Sequence, residues 1–74
     1  MTRYSPISGR DLVAALGRGG FGIVRVRGSH YVLRHQDGRM TVVPVHGREE
    51  IGPGLLTKIL RDCQLTRDEL QELL

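Results

Sequence analysis

In the stretch VRVRGSHYVLRH, residues 24–35, three arginines (Arg25, Arg27 and Arg34) bracket the step Gly28, Ser29, His30. An imidazole has an ordinary pKa near about 6.5, so it can take or give a proton close to neutral pH. A guanidinium offers a planar fork of donors that fits phosphate oxygens. Gly28 lets a ligand approach the backbone closely, and Ser29 adds a hydroxyl. These residue types suit an RNA phosphodiester cleaved through its own ribose 2′-hydroxyl, a reaction that needs no metal. His30 would take the proton of the 2′-hydroxyl or supply one to the leaving 5′-oxygen. The candidate set is thus His30 as the catalytic group and Arg25, Arg27, Gly28, Ser29 and Arg34 as RNA-binding groups, with no cofactor and no metal ligand. The plain alternative for His30 is a surface or cap histidine.

The other chemistry-bearing residues read differently. His35 has the parity of Tyr31 and Leu33 near a hairpin tip and is expected to be structural or exposed. His46 follows VVPV and precedes Gly47, where a turn residue is preferred over a second proton-transfer group. Ser29 is not expected to be a nucleophile activated by His30, because neighbours on a strand point to opposite faces and no orienting acid is evident. GRGGFG, residues 17–22, follows a helix and enters a strand, the reverse of a dinucleotide-binding turn, and it lacks the lysine of a phosphate loop. It reads as a helix stop and turn.

These residues need elements to position them. Ser8 suits a helix N-cap with Asp11 at the capping-box position, and Ile7 and Leu12 have hydrophobic-staple spacing. Leu12, Val13, Ala15 and Leu16 give one apolar face before Gly17, Gly19 and Gly20 stop the helix. From Gly22 to Val45 the period becomes two. Val24 and Val26 alternate with Arg25 and Arg27, and Tyr31 and Leu33 alternate with His30, Val32 and Arg34. QDGR reads as a hairpin turn and MTVVPV as a third strand, with Pro44 at its end or on an edge. A second helix follows with Pro53 in its first turn and a buried stripe of Leu55, Leu56, Ile59, Leu60 and Cys63. Thr66 and Glu69 form a capping box for a short third helix, with Leu65 and Leu70 as its staple and Leu73 and Leu74 extending its apolar face.

The expected fold is α+β: a helix, a three-stranded antiparallel meander, then two helices, as one domain over residues 1–74. Helices of this length close one face of such a sheet and leave the other to water. With Val24, Val26, Tyr31 and Leu33 toward the helices, Arg25, Arg27, His30 and Arg34 share the open face.

Composition agrees with an anionic partner. Ten of the eleven basic residues are arginine. Arg3, Arg10, Arg18, Arg25, Arg27, Arg34, Arg39 and Arg48 face only Asp11 and Asp37 in residues 1–48, a balance of +6, whereas residues 49–74 carry −3. An arginine-rich proteome would explain the Arg/Lys ratio, but it does not explain this segregation. A chain of 74 residues buries only about 60–65% of its unfolded surface. It has no room for a deep cavity, and a polymer that brings its own binding area suits it. Cys63 is the only cysteine, which excludes an intrachain disulfide, and it is expected to fill the core. No run reaches the roughly 20 apolar residues of a membrane span, and the start lacks a signal-peptide core, so a cytoplasmic protein is expected.

From Ile7 to Leu74 the sequence resembles the HicA-type (YcfA-like) mRNA interferase toxins of bacterial toxin–antitoxin pairs. The resemblance is carried by ISGRDLVAALGRGGF leading into VRVRGSHYVLRH, then DGRMTVVPVHGREEI and LLTKILRDCQLTRDELQEL. It implies a fold like that of a double-stranded-RNA-binding domain, metal-independent cleavage of mRNA, and neutralisation by a HicB-type antitoxin. The family's catalytic histidine falls on His30, with Gly28 and Ser29 as its neighbours. Family members commonly open the second helix with glycine-threonine-leucine; here Gly54 and Leu56 match, Leu55 replaces the threonine, and Pro53 is unusual. A changed helix cap follows, bearing on antitoxin contact or stability. Two rival readings remain: a non-catalytic RNA-binding module of the same fold, and a protein-interaction domain whose basic face meets an acidic partner.

Overall fold

A computed structural model describes residues 6–74; Arg3 lies outside them. The order is α1 (Gly9–Arg18), β1 (Phe21–Arg27), β2 (His30–His35), β3 (Met40–Pro44), α2 (Pro53–Cys63) and α3 (Arg67–Leu73). The strands form one antiparallel sheet in the order β1-β2-β3. This is the expected α+β arrangement. No helix among the described residues is long and apolar enough to cross a membrane.

The helix starts follow their caps. Ser8 Oγ accepts from the Asp11 amide at 3.1 Å, which satisfies one of the unpaired N–H groups at the start of α1. At α3 the box is reciprocal: Thr66 Oγ1 accepts from the Glu69 amide at 3.0 Å, and Glu69 Oε1 accepts from the Thr66 amide at 2.8 Å. α2 starts after Gly52 with no side-chain cap bond and with Pro53 at its first position. Its missing N–H would have been unpaired in any case.

The core lies between the helices and one face of the sheet. Leu12, Ala15 and Leu16 of α1, Leu33 and Val43 of the sheet, and Ile59 and Cys63 of α2 are fully buried. Each full-sized aliphatic chain removed from water in this way contributes about 1.5–3 kcal/mol. Leu70 is buried as the main anchor of α3, with Leu65 and Leu73 partly buried beside the core. Thr41 is the one buried polar side chain among the described residues, and its hydroxyl donates to Asp62 at 3.0 Å. Lys58 donates to the same oxygen at 3.0 Å, so β3 is tied to α2 by polar bonds as well as by packing.

Four apolar residues expected on packed faces are exposed. Val24 and Val26 were placed toward the helices, yet they are 57% and 50% exposed. Ile23 pairs with Leu33 and Arg25 with Val32, so Val24 is the extra residue of a β-bulge. Val26 does lie opposite Tyr31 on the helix side, but α1 reaches only the Phe21 end of β1 closely enough to bury it. Leu55 is 37% exposed, because the stripe of α2 turns its Leu56, Ile59, Leu60 and Cys63 side to the core. Leu74 is 51% exposed, one residue past the end of α3.

Gly9 fixes how α1 meets the sheet. It is buried, and a Cβ built there would lie 2.1 Å from the Pro44 carbonyl oxygen. The first turn of α1 therefore packs directly on the backbone at the end of β3, a contact only glycine permits. The segment after β3 closes over the same helix start: Ile51 N–H donates to Ile7 O at 2.8 Å, and Ser8 bridges to Glu50.

Candidate functional site

The outer face of the sheet is set by the bulge. Before Val24, Phe21 and Ile23 lie opposite His35 and Leu33; after it, Arg25 lies opposite Val32 and Arg27 opposite His30. A regular ladder continued from Ile23 would have put Val24 opposite Val32 and Arg25 opposite Tyr31, turning the arginines toward the helices. The extra residue restores the parity, and Arg25, Arg27, His30 and Arg34 share the outer face and are all exposed. None of these arginines makes an ion pair among the described residues, and the His30 imidazole has no hydrogen bond among them. An exposed proton-transfer group with unpaired arginines around it can engage a phosphodiester without first breaking an internal bond.

β3 completes the face. His30 pairs with Pro44, Val32 with Val42 and Arg34 with Met40. Val42 and Met40 are exposed, so an apolar strip runs beside the charged groups. Pro44 ends β3, an edge strand, where its missing N–H breaks no ladder.

Arg27 and His30 pair across the two-residue loop Gly28–Ser29, which closes the β1–β2 hairpin. Gly28 has φ +57° while Ser29 keeps a negative φ, the pattern of a tight hairpin turn with glycine first. The Ser29 carbonyl accepts from the Val45 amide at 2.7 Å, which extends the β2–β3 pairing by one step. The Ser29 hydroxyl, expected from the sequence to contact RNA, lies 3.1 Å from His46 Nε2.

His46 reads from the sequence as a turn residue in preference to a second proton-transfer group. It does sit in a turn, with its carbonyl accepting from Glu49 N–H at 2.8 Å and Gly47 at φ +54°. The same turn brings its ring to the hairpin end that carries His30. The contact joins residues 17 apart in sequence, so only the histidine following the third strand hinted at it.

His35 falls outside the site. Its Nδ1 accepts from the Asp37 amide at 3.1 Å, and its ring meets Phe21 edge-on at 5.2 Å. It is a structural histidine.

The sequence model of the HicA toxins of bacterial toxin–antitoxin systems matches residues 9–65, which span α1, all three strands and α2. A small α+β protein with an exposed basic sheet face is thereby placed in a class: it is a toxin of a toxin–antitoxin pair. The chain belongs to the HicA toxin family. No curated protein matches it closely enough to count as a relative.

Proposed function

We propose that the protein is an endoribonuclease that cleaves mRNA on the outer face of its sheet, with His30 as a proton-transfer group. The reading rests chiefly on one observation: His30 is exposed, its imidazole has no hydrogen bond among the described residues, and it lies directly opposite Arg27 on a face that also carries Arg25 and Arg34. The arginines hold the phosphates on either side of the scissile bond. The ribose 2′-oxygen attacks the adjacent phosphorus as its proton leaves, and the P–O5′ bond breaks as the 5′-oxygen gains a proton. The products are a 2′,3′-cyclic phosphate and a 5′-hydroxyl. The nucleophile belongs to the RNA, so the reaction requires no metal or cofactor from the protein.

A HicB-type antitoxin neutralises the toxin by covering this face. Acidic groups of the partner meet Arg25, Arg27 and Arg34, and apolar groups cover Val42 and Met40. Hydrogen exchange on the complex checks this, with protection expected along all three strands. Protection confined to the helices would contradict it.

The test of activity is incubation of the purified protein with RNA in the presence of a chelator, alongside His30→Ala. Cleavage by the parent alone supports the enzyme. Binding by both proteins without cleavage would make the domain an RNA-binding module, and neither binding nor cleavage would leave a protein-interaction face.

A further inference from the structure

Cleavage through the 2′-hydroxyl moves two protons, one off the attacking oxygen and one onto the leaving oxygen, and His30 accounts for only one. The geometry points to His46 as the second proton-transfer group of this site, with Ser29 as the residue that positions it; this rests on the ribonuclease reading above.

Three observations carry the inference. First, His46 is exposed at the end of the sheet where His30 and Arg27 pair, two residues beyond Pro44, the partner of His30. Second, its ring is held: Nε2 lies 3.1 Å from Ser29 Oγ, and Nδ1 has no hydrogen bond among the described residues. A ring fixed through one nitrogen and open at the other is how an imidazole is presented for proton transfer. Third, the backbone on both sides is pinned. Val45 N–H is bonded to Ser29 O, and beyond the turn Ile51 N–H is bonded to Ile7 O. His46 also lines a cleft of about 170 Å³ with Pro44, Glu49, Glu50 and Leu55, so there is open space beside the ring.

The protons balance. One imidazole enters neutral and takes the 2′-hydroxyl proton as the P–O2′ bond forms. The other enters protonated and gives its proton to O5′ as the P–O5′ bond breaks. Both have exchanged protonation states in the product complex and reset through water. The groups that bear on this titration are His30 on β2, Arg27 on β1, the Ser29 hydroxyl, and Arg48, Glu49 and Glu50 of the loop that carries His46. Because one imidazole must be neutral and the other charged, cleavage by the parent should follow a bell-shaped pH profile.

Ser29 and His46 together invite a second interpretation, a serine nucleophile with its base. No acid orients the far side of the His46 ring among the described residues, as such a nucleophile would need. The same experiment separates the two ideas.

The measurement is the pH profile of kcat/KM on an oligoribonucleotide in chelator for the parent, His30→Ala, His46→Ala, His46→Gln and Ser29→Ala, each checked for folding by circular dichroism. Glutamine can keep the bond to Ser29 but cannot relay a proton, so His46→Gln separates chemistry from structure. We expect both His46 variants and His30→Ala to lose roughly 10²–10⁴ in rate, with His30→Ala and His46→Ala each losing one limb of the bell, and opposite limbs. Ser29→Ala should lose about tenfold or less and keep both limbs. The proposal is overturned if His46→Gln cleaves within about threefold of the parent or if His46→Ala keeps both limbs. It is equally overturned if Ser29→Ala abolishes cleavage while the parent accumulates a phosphoserine. If instead His30→Ala cleaves as the parent does, the site reading itself has failed, and this inference falls with it.

Discussion

At the tip between β2 and β3, His35 is engaged by the Asp37 amide on Nδ1 and by the Phe21 ring in a T-shaped contact, and Arg39 in turn lies over the Phe21 ring at 5.0 Å from its centroid. Arg39 also donates to both Asp37 carboxylate oxygens and to the Cys63 carbonyl at the end of α2. At the other end of the same sheet, His30 and Arg27 face each other across a turn with no acid between them, and His46 is held through one nitrogen alone. Both ends use histidine and arginine close to a hairpin turn. One end satisfies them internally and locks the sheet to α2. The other leaves them exposed and is the end with something left to bind. The lesson is that residue type does not mark a site; unspent hydrogen-bonding and charge capacity does.

The widest separation between the two ends should come from alanine substitutions at their histidines. His30→Ala removes an exposed side chain, so stability should change by about 0.5–1 kcal/mol at most while cleavage falls by roughly 10²–10⁴. His35→Ala should do the reverse. It loses the contact with Phe21 and the bond to Asp37 N–H, lowering stability by about 1–2 kcal/mol with the cleavage rate of the folded fraction unchanged. Thermal melts and single-turnover rates on the pair decide it. If the two histidines showed the same profile, the contrast between site and clasp would be lost.

A substitution in α1 probes how the open end is supported. Gly9→Ala puts a methyl group into the Pro44 carbonyl, and neither backbone can yield without moving the end of β3. Overpacking of this kind costs about 1–3 kcal/mol. Cleavage should also fall in the folded fraction, because Pro44 is the partner of His30 and leads directly to His46. Gly17→Ala, where an added Cβ meets nothing, is the control and should be neutral or slightly stabilising.

Much of this was legible in the sequence, for reasons that also mark the limits. Caps are local chemistry, so Ser8 and the Thr66–Glu69 box could be read within four residues. Strand alternation is local too, and it placed Arg25, Arg27, His30 and Arg34 on one face. Val24 was misread because alternation counted back from Val26 and alternation counted forward from Phe21 and Ile23 disagree by one residue. The fold absorbs that disagreement in a bulge that no short window reveals. Leu55 was misread because the apolar run is one residue wider than the face it packs: at 100° per residue Leu55 falls beyond Ile59, outside the arc that Leu56, Ile59, Leu60 and Cys63 turn to the core. The Ser29–His46 bond and the Gly9–Pro44 contact were out of reach because each joins elements whose packing depends on the whole chain.

The two ends should also separate by salt. If Arg25 and Arg27 hold phosphates, replacing either with glutamine should lower the slope of log affinity against log salt for single-stranded RNA by roughly 0.7, whatever the sequence bound. Arg39→Gln should leave the slope alone, since its guanidinium is already engaged by Asp37 and the Cys63 carbonyl. Fluorescence titrations at four or five salt concentrations suffice. An Arg39 variant that shifts the slope as much as Arg27→Gln would place phosphate at the clasp.

The smallest effect concerns Cys63, the clasp residue whose carbonyl Arg39 holds. Its side chain is fully buried, and burial pushes the thiol up to about 11, with the neighbouring Asp62 carboxylate adding to the rise. Because the folded value lies above the unfolded one, the contribution to stability is fully present below about pH 8.5, the ordinary thiol value, and is lost as pH rises toward 11. Near pH 7.5 the thiol is protonated and shielded, so alkylation of the folded protein should track global unfolding rather than proceed at the rate of a free thiol. Cys63→Ala should then flatten the alkaline fall in stability between about pH 9 and 11 while costing some core packing at every pH. Cleavage measured at neutral pH should not move, since Cys63 belongs to the end of the molecule whose capacity is already spent. Fast labelling of Cys63 in the folded state would mean that α2 opens locally at the clasp, and the rigid half of the comparison would have to be withdrawn.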